Sequence, residues 1–152
     1  MTWVIYVKIT FVILLIILLE SSFLSVLVPA IPLNLVFCFS LALLSKKRKE
    51  SALYSALIGG LLMDFMLSSL IGLTPVFLIS FLLIISYIKS HLIDNFILYL
   101  MSVFVFSFLW RVLFLGDVSC SIFLLFVSNY VVFLIFTYLI NKFGGNYESE
   151  SF

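Results

Sequence analysis

The chain has 152 residues, of which 65% are hydrophobic and 10% charged, and its formal net charge is +1. A soluble domain is roughly half apolar and about a quarter charged, so this composition excludes an ordinary soluble protein and indicates a membrane protein. The chain has neither a basic stripe nor an RNA-binding motif, which excludes nucleic acid as an expected partner.

The apolar runs are continuous, which predicts transmembrane helices of about 20 residues rather than the alternating strands of a membrane barrel. Proline, glycine and polar residues divide them into six segments joined by short loops. The sequence therefore predicts an all-α polytopic bundle forming a single transmembrane domain, residues 1–145, followed by a polar cytoplasmic tail, residues 146–152. The predicted helices span residues 3–28, 31–44, 51–71, 75–90, 95–115 and 120–140.

The second predicted helix is short, with Pro32 in a turn near its start. Its length of about 14 residues also suits a re-entrant hairpin. Six full crossings would place all basic residues except Arg111 on one side of the membrane, and positive residues accumulate in cytoplasmic loops. This asymmetry favours a full crossing and a multi-pass protein of the inner membrane with both termini in the cytoplasm. The residues on that side are Lys8, Lys46, Lys47, Arg48, Lys49, Lys89 and Lys142.

The run from Lys46 to Lys49 follows the second helix and is the clearest polar loop in the chain. A cluster of basic residues beside a membrane helix is typical of contact with anionic lipids. We expect these residues to orient the protein and to touch such lipids. A docking surface for a cytoplasmic partner is the alternative.

Three ionisable residues, Glu20, Asp64 and Arg111, lie inside predicted helices, on the outer side of the midplane. At 1.5 Å per residue, their depths agree to within roughly one helical turn. An unpaired charge at a helix centre costs about 2.5–3.5 kcal/mol on insertion scales. A guanidinium can serve two carboxylates, so we expect an intramembrane cluster in which Arg111 bridges the other two. Separate solvation, by snorkelling or in a polar cavity, and protonated carboxyls are the alternatives.

Small residues recur at helical spacing on the face of the third helix that carries Asp64. Such residues let helix backbones approach closely in lipid. We therefore expect Asp64 to point into a packed helix junction and away from acyl chains, although helix packing alone would also explain the small residues. A turn at Gly72 ends the helix, and Thr74 and Pro75 resemble a cap followed by a first-turn proline. The small residues of this face are Ala52, Ala56, Gly59, Gly60 and Ser68.

Two further polar residues, Asn34 and Asn129, lie within predicted helices and are expected to form hydrogen bonds across helices. Cys38 and Cys120 do not form a spaced pair and are interpreted as small apolar residues. The sequence has no metal-ligand set, phosphate-binding loop or plausible nucleophile and base pair. We expect no enzymatic activity, no cofactor and no metal site.

The stretch "IPLNLVF", a basic loop, "GGLLMDFMLSSLIGL" and then "SYI" resembles the family of the bacterial rod-shape-determining protein MreD. That family has a proline entering its second helix, matched by Pro32, and a Gly-x-x-x-Asp in its third, matched by Gly60 and Asp64. A turn glycine and a helix-ending tyrosine follow, matched by Gly72 and Tyr87. The resemblance covers about residues 31–90. It departs at residues 67–68, where this chain has Leu-Ser and the family often has Ser-Gly.

This resemblance implies a non-catalytic inner-membrane scaffold of the cell-elongation complex, which helps to localise peptidoglycan sidewall synthesis and maintain rod cell shape. The implied partners are the bitopic protein MreC and, indirectly, the actin-like MreB and transmembrane peptidoglycan synthases. The implied fold is similar to the substrate-binding subunits of energy-coupling-factor transporters. A vitamin-type transporter subunit, with Glu20, Asp64 and Arg111 lining a solute pocket, is the alternative function. The bulky first helix argues against it.

Overall fold

The structure, a computed structural model, describes residues 2–24, 34–67, 72–91, 95–110, 112 and 122–143. These ranges form six α-helices and contain no strand, which confirms the predicted all-α class. A π-helical turn, Glu20–Leu24, extends the first helix. The helices are α1 (Thr2–Leu19), α2 (Leu35–Ser45), α3 (Lys49–Leu67), α4 (Leu73–His91), α5 (Asn95–Trp110) and α6 (Ile122–Phe143).

Several helix ends differ from the sequence prediction. α2 begins at Leu35 rather than residue 31, because Asn34 occupies the N-cap and its Oδ1 accepts a hydrogen bond from the Phe37 N–H at 3.0 Å. α3 begins at Lys49 rather than residue 51, so that the connection from α2 is a tight turn. α6 continues to Phe143 rather than ending at residue 140. The predicted turn at Pro32 lies outside the described residues.

α2 is the central helix of the bundle. Every residue from Leu35 to Leu44 is buried, and α2 contacts each of the other five helices. Its 11 residues are about 16 Å long at 1.5 Å per residue, roughly half the thickness of a bilayer's hydrocarbon core. Its apolar character on all sides therefore reflects burial in protein. Its full crossing stays a prediction, because the residues before Asn34 are not described.

An aromatic cluster fills the bundle beside α2. The rings of Phe37 and Phe106 are fully buried and stacked, with centroids 3.5 Å apart and an interplanar angle of 5°. Phe81 meets Phe37 edge-on at 5.7 Å, and Trp110 packs on Phe106 at 5.7 Å. These large rings bring α2, α4 and α5 together through apolar contact.

The outer surface of the bundle carries many large apolar side chains. Phe11, Phe65 and Val76 are each about two-thirds exposed, at 65–66%. Soluble monomers rarely expose large apolar patches. Three helical stretches, Trp3–Ser22, Leu73–Ser90 and Leu125–Lys142, are long and apolar enough to cross a membrane, whereas Leu35–Ser45 and Ile97–Trp110 are apolar but shorter. These features fit a helical membrane protein.

The helix ends that carry basic residues meet at one end of the bundle, which we call the basic end. The Lys89 ammonium donates to the carbonyl oxygens of Leu44 and Ser45, at 3.1 and 3.4 Å. It thereby caps the C-terminus of α2, next to the basic turn. The hydroxyls of Thr10 and Tyr54 are 2.9 Å apart and join the N-terminal halves of α1 and α3. The side of the membrane that the basic end faces stays a prediction.

Candidate functional site

The candidate site lies at the opposite end of the bundle, where α2 and α4 begin. Asp64 of α3 is 1% exposed, so its carboxylate does not face lipid. Its Oδ2 accepts a hydrogen bond from the Gly72 N–H at 2.7 Å, and the Thr74 N–H lies 3.3 Å from both carboxylate oxygens. Asp64 therefore caps the N-terminus of α4, where free N–H groups and the helix dipole favour a carboxylate.

Gly72 adopts a left-handed conformation, with φ at +98°. A Cβ atom at this position would meet nothing within 4 Å, so backbone conformation rather than lack of space favours glycine here. This conformation turns the Gly72 N–H back towards Asp64. The turn predicted at Gly72 is thus part of the cap.

Gly60 lies one helical turn before Asp64 and allows α4 to touch the backbone of α3. A Cβ atom on Gly60 would lie 2.6 Å from Pro75 Cα and 2.7 Å from Pro75 N. Proline suits this first turn of α4 because it has no N–H that needs a partner. The Gly-x-x-x-Asp pattern therefore joins a close backbone contact to a helix cap.

Thr74 is not the cap of α4, so the cap predicted from the sequence is wrong. α4 begins at Leu73, before Thr74, and the capping oxygen comes from Asp64 of the preceding helix. The Thr74 hydroxyl is buried and has no hydrogen-bond partner among the described residues. Its backbone N–H is the group that bonds Asp64.

The rest of the small-residue face packs α3 against α2. Ala52 and Ala56 are fully buried, and a Cβ atom on Gly59 would collide with Val36 Cγ1. On the same side, the hydroxyls of Ser40 and Ser55 are 2.7 Å apart. Neighbouring glycines thus serve two interfaces, Gly59 towards α2 and Gly60 towards α4. Ser68 lies outside the described residues.

Polar side chains from two other helices hold the start of α2. Glu20 Oε2 accepts from the Leu35 N–H at 3.3 Å, and Asn129 Oδ1 accepts from the Asn34 N–H at 3.1 Å. Asn129 Nδ2 donates in turn to the Ser107 hydroxyl at 3.1 Å. The expected bonding across helices is confirmed for the side chain of Asn129. The side chain of Asn34 instead caps its own helix, and only its backbone N–H bonds to another helix.

Glu20 and Asp64 bind the starts of two different helices, α2 and α4. Backbone N–H groups therefore provide partners for both carboxylates, a role that the sequence pattern did not predict. The feature of the sequence that could have indicated this role is the short separation along the chain between Asp64 and Gly72. Arg111 lies outside the described residues, so its bridging of the two carboxylates stays a prediction.

Replacing Asn129 with leucine is expected to destabilise the protein by about 1–3 kcal/mol, because the buried Asn34 N–H loses its acceptor. Thermal unfolding of the purified protein in detergent measures this loss. Ser128→Ala is the matched control, since among the described residues the Ser128 hydroxyl bonds within its own helix, to Leu125 O. Equal melting temperatures for the Asn129→Leu variant and the wild type would contradict the role given to Asn129.

The basic run forms the turn between α2 and α3. The Lys46 and Arg48 N–H groups donate to the carbonyl oxygen of Leu43, at 3.1 and 3.2 Å, and Lys47 has a positive φ of 61°. Lys49 belongs to the first turn of α3. The backbone of this run is therefore ordered by α2, while its charged side chains lie at the surface or half-buried.

The described hydrogen bonds at this site serve to hold helices together. In the part of the chain that the structure describes, no group of three His, Cys, Asp or Glu residues could hold a metal ion. Cys38 is fully buried and its thiol donates to the Asn129 carbonyl at 3.3 Å. The arrangement can fix the starts of α2 and α4 against their neighbours.

No protein-family model, curated protein or solved structure matches this chain in comparisons with known proteins. The expected likeness to transporter subunits of the energy-coupling-factor type therefore has no support from a solved structure.

Proposed function

We propose that this chain is a non-catalytic scaffold of the bacterial cytoplasmic membrane, of the MreD kind. It would bind the transmembrane helix of an MreC-like bitopic protein and help to localise peptidoglycan sidewall synthesis. The actin-like MreB and the transmembrane synthases would be indirect partners, and the fold would be that of the energy-coupling-factor subunits.

The joint use of Gly60, Asp64 and Gly72 supports this proposal. These are three of the positions that resemble the MreD pattern, and in this chain they build one junction between α3 and α4. The spacing of these three residues therefore serves one structural role. A shared role makes it less plausible that their likeness to the MreD pattern arose by chance. The junction suits a protein whose task is to present a fixed surface.

The outer face of α4 is the surface that this junction fixes. Val76, Leu83 and Tyr87 are 65%, 43% and 70% exposed, and they recur at helical spacing along one side. Helices associate in lipid by close packing of shape, so a fixed helix binds a partner helix better than a mobile one. We assign the bitopic partner's helix to this face, and anionic lipids or a cytoplasmic partner to residues 46–49.

Depletion of the protein in its rod-shaped host tests the cellular role. Cells are expected to become round, and the tagged protein is expected to co-purify with the MreC-like partner. Expression of the wild-type chain during depletion should restore rods. Rods that persist in a host without a second copy would overturn the proposal.

Bulky substitutions on α4 test the assigned surface. Val76→Trp combined with Leu83→Trp should abolish co-purification of the partner, because the added rings block a helix from lying along this face. Val7→Trp combined with Phe11→Trp is the matched control on the exposed face of α1. Loss of the partner in the control alone would refute the assignment to α4.

A solute-binding transporter subunit is the second candidate function. The buried Asn34 Nδ2 and Thr74 Oγ1 atoms have no hydrogen-bond partner among the described residues, and both lie where α2 and α4 begin. Unpaired buried polar groups of this kind are available to a polar solute. A stoichiometric small molecule released from the purified, denatured protein would favour this function over the scaffold.

A further inference from the structure

The outer face of α4 carries a polar side chain in the middle of an apolar stripe. Ser80 is exposed and lies close to the middle of Leu73–Ser90, a stretch long and apolar enough to cross a membrane. It follows Val76 by four residues and precedes Leu83 by three, so the three side chains share one side of the helix. Ser80 therefore lies between exposed apolar residues at the depth of the acyl chains.

The hydroxyl of Ser80 has no hydrogen-bond partner among the described residues. Serine and threonine within a helix commonly bond to the carbonyl oxygen four residues earlier. Ser40, Ser102 and Thr137 of this chain do so, at 2.7–2.9 Å. Because Ser80 differs from these residues and faces outward, its hydroxyl is available to a group outside the bundle.

The position of Ser80 in the stripe gives it a defined role in helix pairing. Exposed residues recur along α4 in alternating steps of three and four. Two helices that pack side by side meet through residues with this spacing, and a single polar residue among them fixes the register of the pair. The residues of the stripe are Leu73, Val76, Ser80, Leu83 and Tyr87.

A helix from another protein fits this face better than lipid or a second copy of the chain. Acyl chains have no group that can pair with a hydroxyl, whereas small residues such as serine let helices approach closely and form hydrogen bonds. A second copy would insert in the same orientation. Pairing through α4 would then bring two basic ends together, and like charges at an interface are unfavourable.

We propose that the partner's transmembrane helix on the outer face of α4 carries a hydrogen-bonding side chain, such as serine, threonine or asparagine, opposite Ser80. This inference rests on the partner helix of the proposed function and adds the residue that sets its register. Lys89 follows Ser80 by nine residues, which is roughly 13–14 Å along the axis. The partner's polar residue is therefore expected near the middle of its own span.

Replacing only the hydroxyl of Ser80 tests the hydrogen bond. Ser80→Ala should lower the amount of partner that co-purifies with the full chain by about threefold, whereas Ser80→Thr should retain the partner. Both variants should melt like the wild type, because Ser80 is exposed. Undiminished co-purification with Ser80→Ala would overturn the inference, as would equal losses with alanine and threonine.

Ser128→Ala makes the same chemical change on α6. The Ser128 hydroxyl is half-buried and bonds to Leu125 O of its own helix at 2.9 Å. This control should co-purify with the partner like the wild type. A loss equal to that of Ser80→Ala would mean that the effect is not specific to α4 and would overturn the inference.

Photo-crosslinking in cells identifies the group that lies on this face. The photoreactive residue p-benzoylphenylalanine replaces Ile84, which is 56% exposed and lies at the edge of the stripe, and Leu14 of α1 is the control position. The Ile84 adduct should contain the transmembrane segment of a bitopic protein with a polar residue near its middle. Adducts with lipid alone, with a second copy of the chain, or with an entirely apolar segment would each overturn the inference.

The crosslink and the depletion experiment separate this inference from the proposed function. Round cells on depletion, together with lipid adducts alone at Ile84, would refute the docking chemistry and leave the cellular role intact. Rods that persist on depletion, together with an adduct to a polar bitopic helix that weakens with Ser80→Ala, would refute the cellular role and support the docking chemistry.

Discussion

Replacing Asp64 with leucine is expected to destabilise the protein by about 3 kcal/mol or more, because two N–H groups at the start of α4 lose their charged acceptor. Asp64 is 1% exposed, so water does not readily take its place, and a buried backbone N–H without a partner is unfavourable. Thermal unfolding in detergent or nanodiscs measures the loss. Hydrogen exchange should also show early opening of the first turn of α4.

Asp64→Asn is the matched control for the charge of this cap. The amide keeps one oxygen that can accept from the Gly72 N–H, so we expect roughly half the loss seen with leucine. An asparagine variant as unstable as the leucine variant would show that the charge itself is needed, which would favour pairing with Arg111. A leucine variant as stable as the wild type would refute the cap.

Gly60→Val is expected to lower stability by about 3 kcal/mol, the upper part of the range for overpacking, and to weaken the junction between α3 and α4. Even the first added carbon would lie 2.6–2.9 Å from Pro75 atoms. Pro75 is held by the first turn of α4 and can move only with the whole helix. Thermal unfolding and the yield of folded protein in the membrane measure the effect.

Gly59 provides the comparison for Gly60, because its collision is with a side chain. Gly59→Ala alone should be destabilising, since the new methyl meets Val36 Cγ1 and Cγ2. Adding Val36→Ala removes both of those atoms and should recover part of the loss. No side-chain truncation should rescue Gly60→Val. Rescue of the Gly60 variant by Pro75→Ala would show that side-chain crowding, rather than backbone contact, sets the effect.

The helices were predictable because long apolar runs interrupted by proline, glycine and charge report directly on helix formation. The start of α2 was harder to predict from the sequence. An apolar residue at position 31 and one at position 35 look alike in sequence, and Asn34 becomes a cap only when its side chain bonds the Phe37 N–H. The central position of α2 was also hidden, since burial in lipid and burial in protein select the same residues.

The candidate site was predictable as a packed face but not as a cap. The spacing of Gly60 and Asp64 placed them on one side of α3, and the structure buries Asp64 in that face. Which donor the carboxylate would bind depended on how α4 returns against α3. The sequence could therefore indicate a neighbouring charge such as Arg111 more readily than a backbone N–H of another helix.

The bond between Asn34 and Asn129 joins residues 95 positions apart. At synthesis rates of about 5–20 residues per second, roughly 5–20 s separate the emergence of the Asn34 N–H and the Asn129 side chain from the ribosome. During that interval Glu20 can already accept from the Leu35 N–H at the start of α2. The Asn34 N–H has its Asn129 acceptor only after α6 has been made. Maturation of the centre of the bundle is therefore completed only when the C-terminal segment has been inserted.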